Sequence, residues 1–297
     1  MFSLKYYILC LLKLTVYNIK MTEYFFSFII PTLNEEKFLP ELLRDLSKQK
    51  EKNFEVVVVD GGSKDKTKEI ALSYKNKLNL SFFENDKKNV ASQRNFGGKK
   101  AKGDYLIFLD ADSRINENFL RKIKKFMEKN KGLVFIPYAR PDKKNKIYQP
   151  LFDLANLFVE FSQRLPKKFS LGGSLIIEKN IFNFIGGYDE SLFISEDHEL
   201  VERLSRYGVQ AKFIKNTSVV FSLRRIKKEG EIRFFYKYFV AAFRRLILQE
   251  EIKKRIFDYE MGGERYNLDD RKTITEVVNN YFLKIKKLFR KVIKELT

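Results

Sequence analysis

The chain has 297 residues, and its 58 lysines and arginines outnumber its 38 aspartates and glutamates, which gives a formal net charge of +20. With only one histidine, His198, and one cysteine, Cys10, it excludes a histidine-rich zinc site, a thiolate metal site and an internal disulfide. A protein-bound metal would have to rest on oxygen ligands. The basic charge suits nucleic acid, an anionic membrane surface or simply a charged protein face, so charge alone selects no partner.

The first 23 residues are expected to be an N-terminal extension. Residues 6–12 are apolar, but Lys13 interrupts them, so the segment is too short to span a bilayer. It also lacks the small-residue cleavage site of a signal peptide. Met21 stands just before the first predicted strand. We expect a dispensable extension, and a weak membrane anchor or a misassigned start are the alternatives.

Two apolar runs each lead into a turn and then into a helical pattern. Residues 25–30 predict a buried strand that ends in the polar stretch 31–35. Residues 54–59 predict a second strand, followed by a tight turn at 60–63 and a helix through about Lys77. The first helix is indicated by apolar residues at helical spacing, namely Phe38, Leu39, Leu42, Leu43 and Leu46. Successive β-turn-α units predict a parallel sheet flanked by helices.

A third apolar run, residues 105–109, ends in two carboxylates, Asp110 and Asp112. If the strand continued through both, alternation would project them from the same face. Carboxylates suit Mg²⁺ or Mn²⁺, which complete their shells with water and substrate phosphates. The alternative is that Asp112 and Ser113 cap a helix beginning near Asn116. Because parallel strands end at one edge, the three polar stretches are expected to converge there.

The chain changes character towards its C-terminus. From residue 230 onward, apolar residues recur at helical intervals with basic residues between them. The last helix, residues 277–293, combines an apolar stripe with lysines and an arginine, so it could lie in an anionic membrane interface or pack on the main domain. We therefore expect three parts, which are residues 1–23, 24–225 and 226–297.

Five motifs together resemble the family-2 glycosyltransferases, which have the GT-A fold. Residues 29–36 read IIPTLNEE, 59–67 read VDGGSKDKT and 108–113 read FLDADS. Residues 172–177 and 195–200 then resemble the acceptor segment and the E-D motif of that family. The resemblance implies an α/β, Rossmann-like and mostly parallel sheet flanked by helices, here followed by a C-terminal amphipathic helical appendage.

The resemblance also implies roles for residues on the nucleotide side. Pro31, Leu33 and Glu35 would line the nucleotide pocket, and Asp60 would accept a hydrogen bond from the base. Arg94 would face the nucleotide or its diphosphate, which a guanidinium fork matches. Taken alone, Arg94 fits a solvated helix face equally well, and Asp60 before a glycine fits a turn residue that binds its own backbone.

Metal binding and proton transfer are assigned by the same resemblance. Asp112 would ligate Mn²⁺ or Mg²⁺ directly, and Asp110 would touch the ribose or the metal. Asp197 would deprotonate the acceptor, and single displacement would invert the anomeric centre. From local sequence alone, Ser195 could instead cap a helix whose first-turn acids, Glu196 and Asp197, complement its dipole.

Three further residues lie beside the family motifs or depart from them. Some relatives supply a histidine metal ligand after the last strand of the sheet, but here that stretch contains Arg224 and Arg225. This arginine pair would grip a diphosphate or a lipid phosphate, or it is a basic surface pair. His198 neighbours Asp197, but adjacent helix residues diverge by about 100°, so we expect it to point elsewhere.

We therefore expect an inverting, metal-dependent glycosyltransferase that uses a UDP-sugar or GDP-sugar and a lipid-phosphate or glycan acceptor. It would be cytoplasmic, either free or peripheral on the cytoplasmic face of the membrane. A nucleotidyltransferase is an alternative, although the first turn lacks a glycine- and lysine-rich phosphate loop. A basic nucleic-acid-binding protein is another, but the phenylalanines lie mostly within apolar runs, so no nucleic-acid partner is expected.

Overall fold

The computed structural model describes residues 25–87, 89–142, 148–192 and 194–224, together with Gly230, Tyr236, Lys237, Val240 and Arg244. The chain divides into two compact units, residues 1–222 with 261–264 and residues 223–260 with 265–297. The predicted N-terminal extension, and most of the predicted amphipathic C-terminal region, lie outside the described residues. Within the described residues, no helix has the length and apolar character needed to cross a membrane.

The first unit contains seven strands and seven helices among its described residues. The strands are β1 (Phe26–Thr32), β2 (Phe54–Asp60), β3 (Leu80–Glu84), β4 (Tyr105–Leu109), β5 (Val134–Pro141), β6 (Ser174–Glu178) and β7 (Ala211–Phe221). The helices are α1 (Leu39–Ser47), α2 (Thr67–Ser73), α3 (Val90–Lys100), α4 (Phe119–Lys129), α5 (Gln149–Ser162), α6 (Lys179–Phe184) and α7 (Glu196–Ser205).

These strands form one mixed sheet in the order β3-β2-β1-β4-β6-β5-β7. The pairs β1–β2, β2–β3, β1–β4 and β5–β7 are parallel, whereas β6 runs antiparallel to both of its neighbours. The chain goes from β1 outward through β2 and β3, and then returns to place β4 on the other side of β1. Ligands of open α/β sheets bind at such a switch point, beyond the carboxyl ends of the strands.

The core has a layer on each face of the sheet, as alternation along the strands requires. In β1, Phe28 and Ile30 face the layer formed with α1 and α4, while Ile29 faces the layer formed with α3, α6 and α7. Burial on both faces explains why β1, β2 and β4 are apolar throughout most of their length. The predicted mostly parallel sheet with flanking helices is therefore confirmed.

Three local predictions were wrong. The helix after β2 ends at Ser73 rather than near Lys77. Asp112 and Ser113 do not cap the helix that follows, because α4 begins at Phe119 and its N-cap residue is Asn118. Strand β4 ends at Leu109, so Asp110 and Asp112 lie in a turn and the alternation of a strand does not apply to them.

Candidate active site

The carboxyl ends of β1 and β2 are joined by a network of polar side chains. Thr32 Oγ1 donates a hydrogen bond to Asp60 Oδ1 at 2.8 Å, and Ser63 Oγ donates to the same oxygen at 2.5 Å. The other carboxylate oxygen, Asp60 Oδ2, accepts the N–H groups of Gly62 at 3.0 Å and Ser63 at 2.7 Å. Asp60 thus binds its own turn, as the alternative interpretation required. Its contact with a nucleotide base stays a prediction.

The other residues assigned to the nucleotide side lie at the same edge. Pro31 is buried in β1, Leu33 is half-buried in the turn, and Glu35 is buried with its N–H donated to Thr67 Oγ1 at 2.8 Å. The predicted convergence of residues 31–35 with 60–65 is therefore confirmed. Their roles in nucleotide binding are not tested by this geometry.

Gln93 on α3 ties both strand ends together, a role that the sequence analysis missed. Its Nε2 donates to the backbone oxygens of Thr32 at 2.7 Å and Val59 at 3.0 Å. The side chain lies against Gly61, where an added Cβ would be 3.0 Å from Gln93 Nε2. A glutamine on a predicted helix gives no signal of this contact, which depends on how α3 packs under the sheet edge.

Arg94, the next residue of α3, is the buried cation of the site. Its side chain is only 4% exposed, so the solvated-helix alternative is wrong. Its Nη2 donates to Asp110 Oδ1 at 2.8 Å and its Nη1 donates to Glu196 Oε1 at 2.6 Å. The guanidinium also lies over the ring of Tyr188, 5.4 Å from its centroid. Arg94 therefore connects the end of β4 with the start of α7.

The charges of this cluster shift one another's pKa values. Burial acts to lower the pKa of Arg94, but the Asp110 and Glu196 carboxylates outweigh it and the pKa is raised. Burial raises the pKa of Glu196, and the neighbouring Arg94 charge only partly opposes this shift. Burial likewise raises the pKa of the Tyr188 hydroxyl. Arg94 therefore stays positively charged inside the cluster.

Asp110 is held between Arg94 and Gly173. The turn after β4 is closed by the Ser113 N–H, which donates to Asp110 O at 3.0 Å. Gly173 has φ +76°, and a Cβ there would lie 2.2 Å from Asp110 Oδ2. Glycine is required at this position by both the backbone conformation and the close approach of the carboxylate.

Asp112 is half-buried two residues further along the same turn. Across the part of the chain that the structure describes, no group of three or more His, Cys, Asp or Glu side chains could enclose a metal ion. A divalent ion bound here would therefore draw on one or two carboxylates. Mg²⁺ typically uses that number when substrate phosphates complete its shell.

Asp197 lies in the first turn of α7, and it is buried. Its Oδ2 accepts no hydrogen bond from any residue that the structure describes. A Cβ at Gly172 would lie 3.6 Å from this oxygen. A buried carboxylate oxygen without a partner is costly, so such atoms often serve a ligand. Ser195 occupies the N-cap position with φ +69°, but its side chain makes no capping hydrogen bond.

His198 lies closer to Asp197 than predicted. Its Nδ1 is 3.4 Å from Asp197 Oδ2 and accepts the N–H of Ser170 at 3.1 Å. These contacts need different states, because an unprotonated Nδ1 accepts from Ser170 and a protonated Nδ1 donates to Asp197. Burial raises the pKa of Asp197, but a protonated His198, and then Arg94, lower it to about 2. Asp197 is thus an ionised carboxylate at neutral pH.

Only one residue of the predicted arginine pair, Arg224, lies among the described residues. Arg224 is half-buried, follows β7 and belongs to the second compact unit, whereas Arg225 lies outside the described residues. The suggested grip of Arg224 and Arg225 on a phosphate stays a prediction.

The chain has recognisable relatives among known proteins. Residues 27–188 match the model of the family described as glycosyl transferase family 2. The matched segment ends before Glu196 and Asp197. The poly(ribitol-phosphate) beta-N-acetylglucosaminyltransferase TarS of Staphylococcus aureus is 40% identical over 115 residues, which are 37% of this chain and 20% of TarS. An uncharacterized glycosyltransferase of Rickettsia typhi is 32% identical over 213 residues, 66% of this chain and 60% of that protein.

Solved structures agree with the sheet described above. The structure of S. aureus TarS residues 1–349 has a TM-score of 0.55 and 26% identity, and the match covers 72% of this chain and 64% of that one. The mannosyltransferase PcManGT of Pyrobaculum calidifontis has a TM-score of 0.58 over 80% of this chain and 76% of its own, but at 19% identity it bears on the fold alone. The predicted GT-A class is confirmed.

In each of the first relatives named above, the match spans less than two thirds of the relative's own length. The family match, by contrast, covers more than half of the 297 residues of this chain. The protein therefore belongs to glycosyl transferase family 2, as its motifs predicted.

Proposed function

We propose that the protein is a glycosyltransferase that moves a sugar from a nucleotide-sugar donor to a hydroxyl or phosphate oxygen of an acceptor, with inversion of the anomeric centre. The observation that carries the proposal is the buried Asp197 carboxylate, whose Oδ2 accepts no hydrogen bond within the described structure, because the Nδ1 of His198, 3.4 Å away, itself accepts the N–H of Ser170. This carboxylate lies in the same charge cluster as Arg94 and Asp110 at the ligand edge of the sheet. The proposed base, Asp197, therefore lies near Arg94 and Asp110, the residues proposed for the phosphate side of the donor.

In the proposed reaction, Asp197 accepts the proton of the acceptor hydroxyl. The hydroxyl oxygen forms a bond to the anomeric carbon while the bond from that carbon to the phosphate oxygen breaks. The electron pair of the broken bond leaves with the nucleoside diphosphate. The charges of a protonated His198 and of Arg94 lower the pKa of Asp197, which favours the ionised form that can accept a proton.

We propose Asp110 and Asp112 as the residues that would hold Mn²⁺ or Mg²⁺. Their oxygen donors fit such an ion, and the absence of a Cβ at Gly173 lets the Asp110 carboxylate lie against this backbone. When bound, the ion supplies positive charge against the leaving diphosphate. Arg94 positions Asp110 through its hydrogen bond to Oδ1, so the second oxygen of Asp110 keeps a fixed orientation.

The relatives suggest donors to test. TarS structures were determined with UDP-GlcNAc and with UDP, and PcManGT was determined with GDP-Man and Mn²⁺. The sequence relationship to TarS favours a UDP-sugar for this chain. TarS is named for a poly(ribitol-phosphate) acceptor, but only 20% of it is matched, so we propose only a glycan or a lipid phosphate as acceptor class.

The test is a thermal-shift titration of the full chain with UDP, UDP-GlcNAc, GDP and GDP-Man, each with and without Mn²⁺. A ligand that binds only the native state raises the melting temperature, by an amount that corresponds to about 2.7 kcal/mol at 100 times its Kd. We expect a shift with one nucleotide and its sugar that Mn²⁺ enhances. Absence of any shift, together with salt-sensitive binding of RNA or DNA, would favour the nucleic-acid alternative.

A further inference from the structure

Helix α5 presents an apolar face to solvent. Leu151, Leu154, Leu157, Phe158 and Phe161 are between 38% and 65% exposed. At about 100° per residue, these five side chains fall within an arc of about 120° on one side of the helix. Large exposed patches of this kind mark interaction sites rather than ordinary surface. Beyond α5, Leu72 is the one large hydrophobic residue that the structure describes as exposed.

The opposite face of α5 fixes the helix to the sheet. Asn156 is buried and makes two hydrogen bonds of 2.9 Å with the backbone N–H and oxygen of Ala139 on β5. Glu160 Oε2 accepts the Tyr138 hydroxyl at 2.6 Å, and Glu160 Oε1 lies 2.8 Å from Lys215 Nζ. The apolar face is therefore not needed to anchor the helix, so its residues can be changed without loss of these contacts.

The apolar face continues towards the proposed base. The ring of Phe158 packs on Phe169, with centroids 5.1 Å apart, and Phe169 packs on His198 at 5.0 Å. His198 contacts Asp197. An apolar path thus connects the exposed side of α5 with the neighbour of the carboxylate.

We propose that the face of α5 inserts into the interface of an anionic phospholipid bilayer. The occupant is argued from charge, because the chain carries +20 and the sequence between β5 and α5 contains three lysines at 143–147. Arg164 is exposed just after the helix, Glu160 is paired with Lys215, and the exposed Asp153 of α5 accepts a hydrogen bond from Gln149 at 2.8 Å. Apolar side chains flanked by basic residues are typical of helices that lie in anionic interfaces. The proposal concerns α5 alone and not residues 277–293, for which the sequence suggested a membrane interface.

The first test places an environment-sensitive fluorophore on the face. The full chain carries C10S, which removes its only cysteine, and either Leu154→Cys or the control Leu72→Cys, each labelled with NBD. We expect vesicles of phosphatidylcholine with phosphatidylglycerol to shift the emission of the residue-154 label to the blue and to leave the residue-72 label unchanged. If the emission of the residue-154 label did not change with vesicles, the proposal would be overturned. Emission that is already blue-shifted before vesicles are added would also overturn it, because protein would then already cover the face.

The second test measures co-sedimentation of the full chain with the same vesicles. Replacing two exposed leucines, as in Leu154→Gln with Leu157→Gln, should weaken vesicle binding about tenfold, whereas Leu72→Gln should not change it. Equal binding by all variants would overturn the proposal and direct attention to the C-terminal region. A fall in molecular mass of the double variant in solution would overturn it in favour of a second copy.

The outcome does not depend on the proposed sugar transfer. Nucleotide-dependent melting shifts of the wild type test the donor site, whereas vesicle binding tests only α5. We expect the α5 variants to keep the wild-type shift with nucleotide. Failure of one measurement therefore leaves the other interpretable.

Discussion

Arg94 on α3 and Glu196 at the start of α7 form a buried ion pair of 2.6 Å between residues that are 102 positions apart in sequence. The same guanidinium binds Asp110 in the turn after β4. One cation therefore fixes the position of the turn that holds the proposed metal ligands and of the helix that carries Asp197. The proposed metal ligands and the proposed base are thus positioned by one side chain.

The first prediction concerns stability. Arg94→Ala leaves Glu196 and Asp110, which are both half-buried, without their cation, and should lower the free energy of unfolding by about 3–5 kcal/mol. Arg94→Lys keeps the charge but loses the fork that binds two carboxylates, so it should cost less than the alanine variant. Urea denaturation at neutral pH measures both.

Arg206 provides the matched control for that experiment. Its side chain is 69% exposed and pairs with Glu202 within α7. Because Arg206 is exposed and the buried Glu202 also pairs with Lys167 at 3.2 Å, Arg206→Ala should cost about 1 kcal/mol or less. Equal losses for Arg94→Ala and Arg206→Ala would mean that the buried cluster does not stabilise the fold.

Sequence patterns predicted the parts of the fold that depend on short-range order. The β-turn-α repeats at 25–47 and 54–73 predicted two parallel strands that end at the same edge of the sheet. That arrangement brings residues 31–35 and 60–65 together. Five ordered motifs also predicted the family. These features are encoded by apolar runs and by turn residues, which can be recognised locally.

Long-range contacts could not be predicted in the same way. The burial of Arg94 depends on Glu196 and Asp110, and nothing in a helical pattern indicates partners so far away in sequence. Glu196 had a visible signal as the acid beside Asp197, but dipole compensation explained it equally well. The strand prediction for Asp110 and Asp112 failed because β4 ends at Leu109, where the chain turns to reach Arg114 beside Val220.

A second prediction concerns Gly173. Gly173→Ala should strain a backbone with φ +76° and also displace Asp110, because the new Cβ would lie 2.2 Å from Oδ2. Gly186→Ala is the control, since Gly186 has φ +83° and nothing within 4 Å of an added Cβ. Both should lose about 1–2 kcal/mol of stability through backbone strain. Only Gly173→Ala should also weaken Mn²⁺-dependent nucleotide binding, measured by calorimetry, and equal nucleotide binding in the two variants would contradict the placement of Asp110.

The third prediction separates the metal-side and base-side carboxylates. Asp112→Asn should weaken nucleotide binding in the presence of Mn²⁺, because a charged oxygen ligand is lost. Nucleotide affinity of this variant should then be the same with Mn²⁺ as with EDTA. Asp197→Asn should leave donor affinity nearly unchanged and lower kcat by about 10²–10⁴-fold, since it removes only the base. Calorimetry and product formation measure the two effects. A similar loss of donor affinity in both variants would contradict the assignment.

The last prediction is a pH dependence that involves His198. When His198 is protonated, its charge and that of Arg94 hold the pKa of Asp197 at about 2, below its ordinary value, so the base stays ionised as the solution becomes acidic. A carboxylate whose pKa is lowered in the folded state stabilises that state. This stabilisation is complete at pH values above the ordinary pKa of the carboxylate and is lost as the pH falls through about 2.

His198→Gln should reveal this dependence, because it removes the protonated neighbour and leaves burial, which raises the pKa of Asp197. Loss of activity on the acid side should therefore begin at a higher pH in the variant than in the wild type. The measurement is kcat/KM for sugar transfer between pH 4.5 and 8, with donor affinity determined at each pH as the control. Superimposable profiles would show that His198 does not set the ionisation of Asp197, and the packing of its ring on Phe169 would then be its main contribution.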